Sequence, residues 1–235
     1  MAKNVKNTTF FNPLDLIAPH SCRGCGKLGD VLCDCCKKHI LDSNFYNNCP
    51  KCKRPLADGA HKCRYCRGLP PIYMIGAREG LLGDLIHDYK YYSVRAIGEK
   101  LAELFYERLP DDLPDETVIV PLPTSTKHIR ERGFDHTLFV AKRLARFDKR
   151  LKVGRILMRE KNTVQVGTDK KTRILQAEEA YSLKEGVVLD KNTTYLLLDD
   201  VWTTGASMIT AVKKLRAGGA KRIVIALLSV SLLDD

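Results

Sequence analysis

Tyr195-Leu196-Leu197-Leu198-Asp199-Asp200-Val201-Trp202-Thr203-Thr204-Gly205-Ala206-Ser207 is the stretch on which the reading of this chain turns. Its first four residues are apolar and read as a short buried strand. Asp199 and Asp200 are expected to emerge as that strand ends, and the small residues Thr203 to Ser207 follow as a loop. A helix is predicted over Ser207 to Ala217, a stop at Gly218-Gly219, and a second apolar strand over Ile223 to Leu228. Strand, loop, helix and strand in that order make a βαβ unit.

The same grammar runs upstream. Leu82, Leu85, Ile86 and Tyr89, then Ile97, Leu101, Leu104 and Phe105, recur at helical spacing and predict two helices, or one long bent one, between Leu81 and Leu109. Thr117 to Val120 reads as a strand ending at Pro121-Leu122-Pro123, and Asp135 to Ala145 as a helix. Several such units predict an α/β fold with a mainly parallel sheet flanked by helices. In such sheets ligands bind beyond the carboxyl ends of the strands, where the Pro121 and Asp199 loops lie. Two carboxylates there can accept hydrogen bonds from the hydroxyls of a ribose. The small residues after them let backbone N–H groups and hydroxyls close around a phosphate at a helix N-terminus. A capped tight turn explains the small residues equally well, but not the paired aspartates.

All nine cysteines lie between Cys22 and Cys66, and eight form C-x-x-C pairs: Cys22/Cys25, Cys33/Cys36, Cys49/Cys52 and Cys63/Cys66. One tight turn presents two thiolates to an ion, and two turns complete a tetrahedral four-cysteine site, so two structural zinc ions are expected. Disulfides do not suit a cytosolic chain, and iron–sulfur clusters usually show other spacings. A sequential pairing (Cys22/Cys25 with Cys33/Cys36, and Cys49/Cys52 with Cys63/Cys66) competes with a cross-braced one, and the sequential one is adopted. Cys35 competes with Cys36 as a ligand, and the spacing from Cys33 favours Cys36. Such a segment has too little core to fold without metal. Arg64, Tyr65 and Arg67 around its last knuckle offer a weak nucleic-acid surface. The cysteines stop before Pro70-Pro71, which divides the chain into an extension over 1–20, a zinc-ribbon module over 21–70 and an α/β domain over 71–235.

The 235 residues suit one medium domain with a small appendage. A 44% hydrophobic fraction with no apolar run of about 20 residues predicts no membrane insertion. The first twenty residues are interrupted by Asn12, Pro13 and Asp15 and lack a signal-peptide core, so a cytoplasmic location is expected. The net charge is +11, and Lys142 to Arg173 alone holds twelve basic residues against three acidic ones. That block can meet polyanions, nucleic acid or diphosphates, and equally can be a solvated basic face.

An apolar strand, two acidic residues and T-T-G-A-S resemble the 5-phosphoribosyl diphosphate (PRPP) motif of type I phosphoribosyltransferases. The resemblance implies that Asp199 and Asp200 bind the ribose hydroxyls and that Val201, Thr203, Thr204, Gly205, Ala206 and Ser207 shape the 5′-phosphate turn, with Mg²⁺ bridging diphosphate and ribose oxygens. Trp202 stands where a smaller aliphatic residue is usual, which predicts a bulkier pocket edge or a stacking surface. The cysteine pairs, Pro121-Leu122-Pro123 and Arg130-Glu131-Arg132-Gly133-Phe134-Asp135-His136 narrow the likeness to the ComF family of competence-associated proteins, from about Cys22 to the end. In that family the last phrase commonly ends in Asn-Gln, so Asp135 and His136 depart from it. The resemblance places Pro121 and Leu122 near the diphosphate and makes Arg130 and Arg132 anion contacts. Arg159 to Tyr181 resembles the family's mobile loop, with Arg159, Lys161 and Arg173 as basic contacts, Thr163 in its usual place, and Gln165 and Gln176 in drifted positions.

The function so implied is PRPP binding with Mg²⁺ in a protein that handles incoming single-stranded DNA during natural transformation, with a competence ATPase or helicase as a further partner. The alternative is an active phosphoribosyltransferase, whose chemistry needs mainly positioning and charge. No general base or acceptor pocket is legible, and His128 and His136 are isolated histidines.

Overall fold

Alternation along Tyr195 to Leu198 decides the layering: Leu196 and Leu198 enter one hydrophobic core, Tyr195 and Leu197 another, on the opposite side of the strand. The computed structural model describes residues 20–43, 46–57, 61–160 and 180–232. It is an α/β structure with a five-stranded parallel sheet flanked by helices.

The elements run α1 (Asp34–Ser43), β1 (Ile72–Ala77), α2 (Gly80–Tyr91), α3 (Arg95–Arg108), β2 (Thr117–Pro121), α4 (Thr126–Arg132), α5 (His136–Phe147), β3 (Leu151–Val153), β4 (Leu157–Arg159), β5 (Tyr181–Leu183), β6 (Thr194–Trp202), α6 (Ala206–Ala217) and β7 (Arg222–Val230). The sheet order is β1-β7-β6-β2-β3, while β4 and β5 form a separate antiparallel pair. From β2 the chain moves outward to β3, and from β6 it moves the other way to β7. The direction therefore reverses between β2 and β6, and a crevice opens at the carboxyl ends there.

Two expectations are refined. The periodic stretch before Leu109 is two helices, separated at Ser93, whose φ of 55° lies in the left-handed region. The strand at Tyr195 does not end at Leu198 but continues to Trp202, because β7 is as long and pairs with it as far as Trp202↔Val230. β2 pairs with β6 only to Pro121↔Leu198. Asp199 and Asp200 therefore sit on a strand held from one side only, with the crevice on the other.

The α2, α3 and α5 side chains Leu82, Leu85, Ile86, Ile97, Leu101, Phe105, Val140 and Leu144 fill one core, and Met208, Ala211, Val212 and Leu215 of α6 the other. The cysteine-rich segment contributes to both. Val31, Leu32 and Ile40 join the α2/α3 core, whereas Cys49, Cys63 and Leu69 join the α6 core. Arg23 pairs with Asp88 at 3.1 Å, Lys100 with Asp30 at 2.6 Å, and Lys37 lies 3.7 and 3.6 Å from Glu103 and Glu107. On the other side the Ile72 N–H donates to the His61 carbonyl at 2.7 Å, and Arg216 to the Gly68 carbonyl at 2.6 Å. The cysteine-rich segment thus straddles the edge of the sheet. No helix among the described residues is long and apolar enough to cross a membrane.

Candidate functional site

The cysteines form two groups, Cys22, Cys25, Cys33, Cys36 and Cys49, Cys52, Cys63, Cys66, each with all its sulfurs within 4.8 Å of one another. This is the sequential pairing, and Cys35 stands outside it, exposed. A tetrahedral zinc with bonds of about 2.3 Å has sulfur–sulfur edges of about 3.8 Å. The sulfurs lie 3.7 Å apart for Cys22 and Cys33, 3.6 Å for Cys25 and Cys33, 3.8 Å for Cys49 and Cys66, and 3.6 Å for Cys52 and Cys63. Both groups fit zinc.

Their acidities agree. Burial opposes ionisation of Cys22, but the N–H groups of Cys33, Cys25 and Gly24 outweigh it and bring the thiol down to about 6. Cys63 falls to about 7 in the same way, through the N–H groups of Cys66 and Tyr65. Burial and the neighbouring sulfurs push Cys66 up to about 12 and raise Cys36. Four thiolates in one cluster therefore require a cation. The Tyr65 ring on the second module carries the guanidinium groups of Arg54 and Arg64 at 4.5 and 4.8 Å.

At the crevice, Asp199, Asp200, Val201, Trp202, Thr203, Thr204, Gly205, Ala206, Ser207 and Met208 line a cavity of ≈ 240 Å³ together with Arg78, Lys90 and Leu227. The sequence brings these residues together locally: the strand presents the acids, and the turn delivers the N-terminus of α6. Gly205 precedes that helix at φ 75°, and no side chain caps it from this position. Thr203, Thr204, Ala206 and Ser207 are exposed, whereas Val201 is buried and can serve a ligand only through its backbone. Thr204 Oγ1 accepts from the Ala206 N–H at 3.4 Å. Four exposed small residues at the positive end of a helix can form an anion cradle.

Consecutive strand residues face opposite ways. Asp200 meets Lys90 of α2, Oδ2 to Nζ 2.9 Å, with side chains 17% and 14% exposed. Asp199 accepts the Asp200 N–H at 2.8 Å. Burial, and then the Asp200 carboxylate beside it, push the Asp199 carboxyl up to about 8, against the pull of Lys90 and Arg159. One acid of the pair thus holds its proton readily while the other is ion-paired.

Trp202 is 2% exposed and packs beneath the turn, so it offers no open stacking surface; a Cβ on Gly205 would stand 2.1 Å from its ring. The larger residue is accommodated because Gly205 leaves room for it.

A wider groove of ≈ 880 Å³ shares Ala206 and Ser207 with this cavity. Pro121, Pro123 and Ser125 form one wall, Leu157, Met158, Arg159 and Ala180 another, with Lys127, Arg155 and Lys184 supplying further cations. Arg159 Nη1 lies 3.3 Å from the Tyr181 hydroxyl, whose phenol is also hydrogen-bonded to Ser207, so the β4–β5 pair reaches the turn.

The remaining predicted contacts divide. Pro121 lines the groove, but the Leu122 side chain is core and its N–H donates to the Leu198 carbonyl at 2.8 Å. Arg130 and Arg132 line neither cavity nor groove; from their helix, Lys127 and Ile129 do. Lys161, Thr163, Gln165, Arg173 and Gln176 lie outside the described residues. Within the basic block, Arg143 is held by Glu99 at 2.6 Å and Arg150 by Asp148 at 2.6 Å, so the block is not one free face.

Asp135 caps α5, accepting from the Leu138 N–H at 3.1 Å, a task an asparagine performs as well. His136 is 1% exposed, its Nε2 lying 2.6 Å from the Tyr89 carbonyl, and burial lowers its basicity. It is a packing residue. The sequence reading missed Arg78, Lys90, Lys127, Arg155 and Lys184, because nothing local marks which surface cations face a distant strand end.

No protein-family model matches the chain, and no curated protein matches it.

Proposed function

We propose that the chain binds PRPP with Mg²⁺ at the Asp199–Ser207 crevice of a phosphoribosyltransferase-like domain. One observation carries this reading: paired carboxylates and an exposed small-residue turn at a helix N-terminus line a single cavity of ≈ 240 Å³. A phosphorylated sugar needs hydroxyl acceptors and an anion cradle side by side. The donor set also suits a hard divalent cation, since carboxylate oxygens are its preferred protein ligands. Asp199 and Asp200 would hold Mg²⁺ with the ligand's own oxygens, and the metal would neutralise diphosphate charge.

The resemblance to ComF proteins extends the proposal to single-stranded DNA during uptake, with a competence ATPase or helicase docking on the chain. Support for a polyanion comes from Lys127, Arg155, Arg159 and Lys184 along the groove. The transferase alternative is favoured by one feature, namely that the groove adjoins the cavity, sharing Ala206 and Ser207 with it, so that a second ligand has room beside the bound phosphoribosyl group.

Titration of PRPP with and without Mg²⁺, read by Trp202 fluorescence, tests the main claim. Saturable, Mg²⁺-dependent binding that is lost in Asp199→Asn/Asp200→Asn is expected, and unchanged binding in that variant refutes it. Diphosphate release with a panel of nitrogenous bases then separates the readings: release establishes a transferase, and silence alongside tight binding favours a binding protein.

A further inference from the structure

We propose that Lys90 is the residue by which this site distinguishes a ribose bearing a 1-diphosphate from one without it, by exchanging its partner from Asp200 to the diphosphate. The inference rests on the reading of the cavity as a PRPP site.

Lys90 stands in the last turn of α2 and contacts Asp200, the acid on the α2 side of β6, at 2.9 Å. Both side chains are largely buried and both line the cavity, so this is not a solvated surface pair. Tyr89, the preceding residue, is fully buried, and its hydroxyl donates to the His136 carbonyl at 2.8 Å, which fixes the end of α2 against α5. Lys90 is thereby anchored at its backbone while its four-carbon stem stays adjustable.

With the ion pair intact, Asp200 has part of its acceptor capacity taken by the ammonium, which has three donors and no acceptor. A ribose approaching with its hydroxyls must compete for the same oxygens. Of the two hydroxyl-bearing ribose carbons, C2 is bonded to C1 and C3 lies one bond further, so a cation on the acid that holds those hydroxyls is within reach of whatever substituent C1 carries. A 1-diphosphate offers Lys90 a second anionic partner and frees Asp200 for the hydroxyls. Ribose 5-phosphate offers none, so Lys90 stays on Asp200 and opposes the sugar. Arg78, on the same cavity wall, adds positive charge that cannot be redistributed in this way, since Asp200 is not its partner.

The test compares the affinities of PRPP and ribose 5-phosphate, both with excess Mg²⁺, for the wild-type chain, Lys90→Met and Lys90→Arg. The wild type is expected to prefer PRPP. In Lys90→Met the preference should shrink by about tenfold or more, through weaker PRPP binding and equal or tighter ribose 5-phosphate binding. Lys90→Arg should retain most of it, because a guanidinium can make the same exchange. An unchanged preference in Lys90→Met overturns the proposal. So does an equal loss of both ligands, which marks a structural role. Should the wild type bind neither ligand, it is the PRPP reading of the cavity that fails, a result distinct from either.

Discussion

Gly205 carries two constraints at once, a φ of 75° and a ring face 2.1 Å from where a Cβ would stand. Gly205→Ala must both adopt a left-handed conformation and displace Trp202, so a loss of about 2 kcal/mol or more in urea denaturation is expected, with loss of PRPP binding. Retention of both stability and binding would show that the turn does not depend on this geometry. Asp199 gives a pH prediction. Its carboxyl ionises near 4 when unfolded and at about 8 when folded, so between these values the folded state binds more protons. Stability linked to Asp199 is full below about pH 4 and is lost as pH rises toward about 8. The melting temperature of the ligand-free protein should fall across that window, and less so in Asp199→Asn; parallel profiles would contradict the raised value. Of these residue-scale features, the acids and the glycine are legible in the sequence. Lys90 is not, because its partner lies 110 positions further along the chain.

At the scale of elements, the basic block from Lys142 to Arg173 is divided by the fold. The end of α5 and the residues before β3 commit Arg143 and Arg150 to Glu99 and Asp148, whereas Arg155 and Arg159, around β4, line the groove. If single-stranded DNA occupies that groove, Arg155→Ala/Arg159→Ala should reduce the slope of log affinity against log salt by about 0.7 per cation removed. Arg150→Ala should leave the slope unchanged while lowering stability, since it also removes hydrogen bonds to the Asp111 and Leu113 carbonyls. Equal slopes in both variants would place the DNA elsewhere. The helices α2, α3, α5 and α6 were readable from apolar spacing. The length of β6 was not: two aspartates resemble a strand end until a long β7 is laid beside them.

For the whole molecule, the two cysteine groups brace opposite faces of one sheet, since their segment supplies Val31, Leu32 and Ile40 to one core and Cys49, Cys63 and Leu69 to the other. Elemental analysis should find two zinc ions per chain. Removing them with a chelator should lower the midpoint of a single unfolding transition followed by circular dichroism, because the cores lose packing together with the metal. A separate early transition, with the α/β part unaffected, would show that the cysteine-rich segment folds on its own.

The sequence by itself determined the parallel α/β class, the four C-x-x-C pairs that make two four-cysteine sites, and the strand-turn-helix that sets two carboxylates before an anion cradle. Each of these is written in spacing over a few residues, where chain geometry leaves little choice. Only the tertiary structure decided which cysteine pairs share an ion, that the cysteine segment straddles the sheet, that neither Arg130 nor Arg132 of α4 lines the cavity or the groove, and that Lys90 and Arg78 enter the cavity. Those facts depend on which distant surfaces the packing of α2 and β6 brings together, and no local periodicity encodes them.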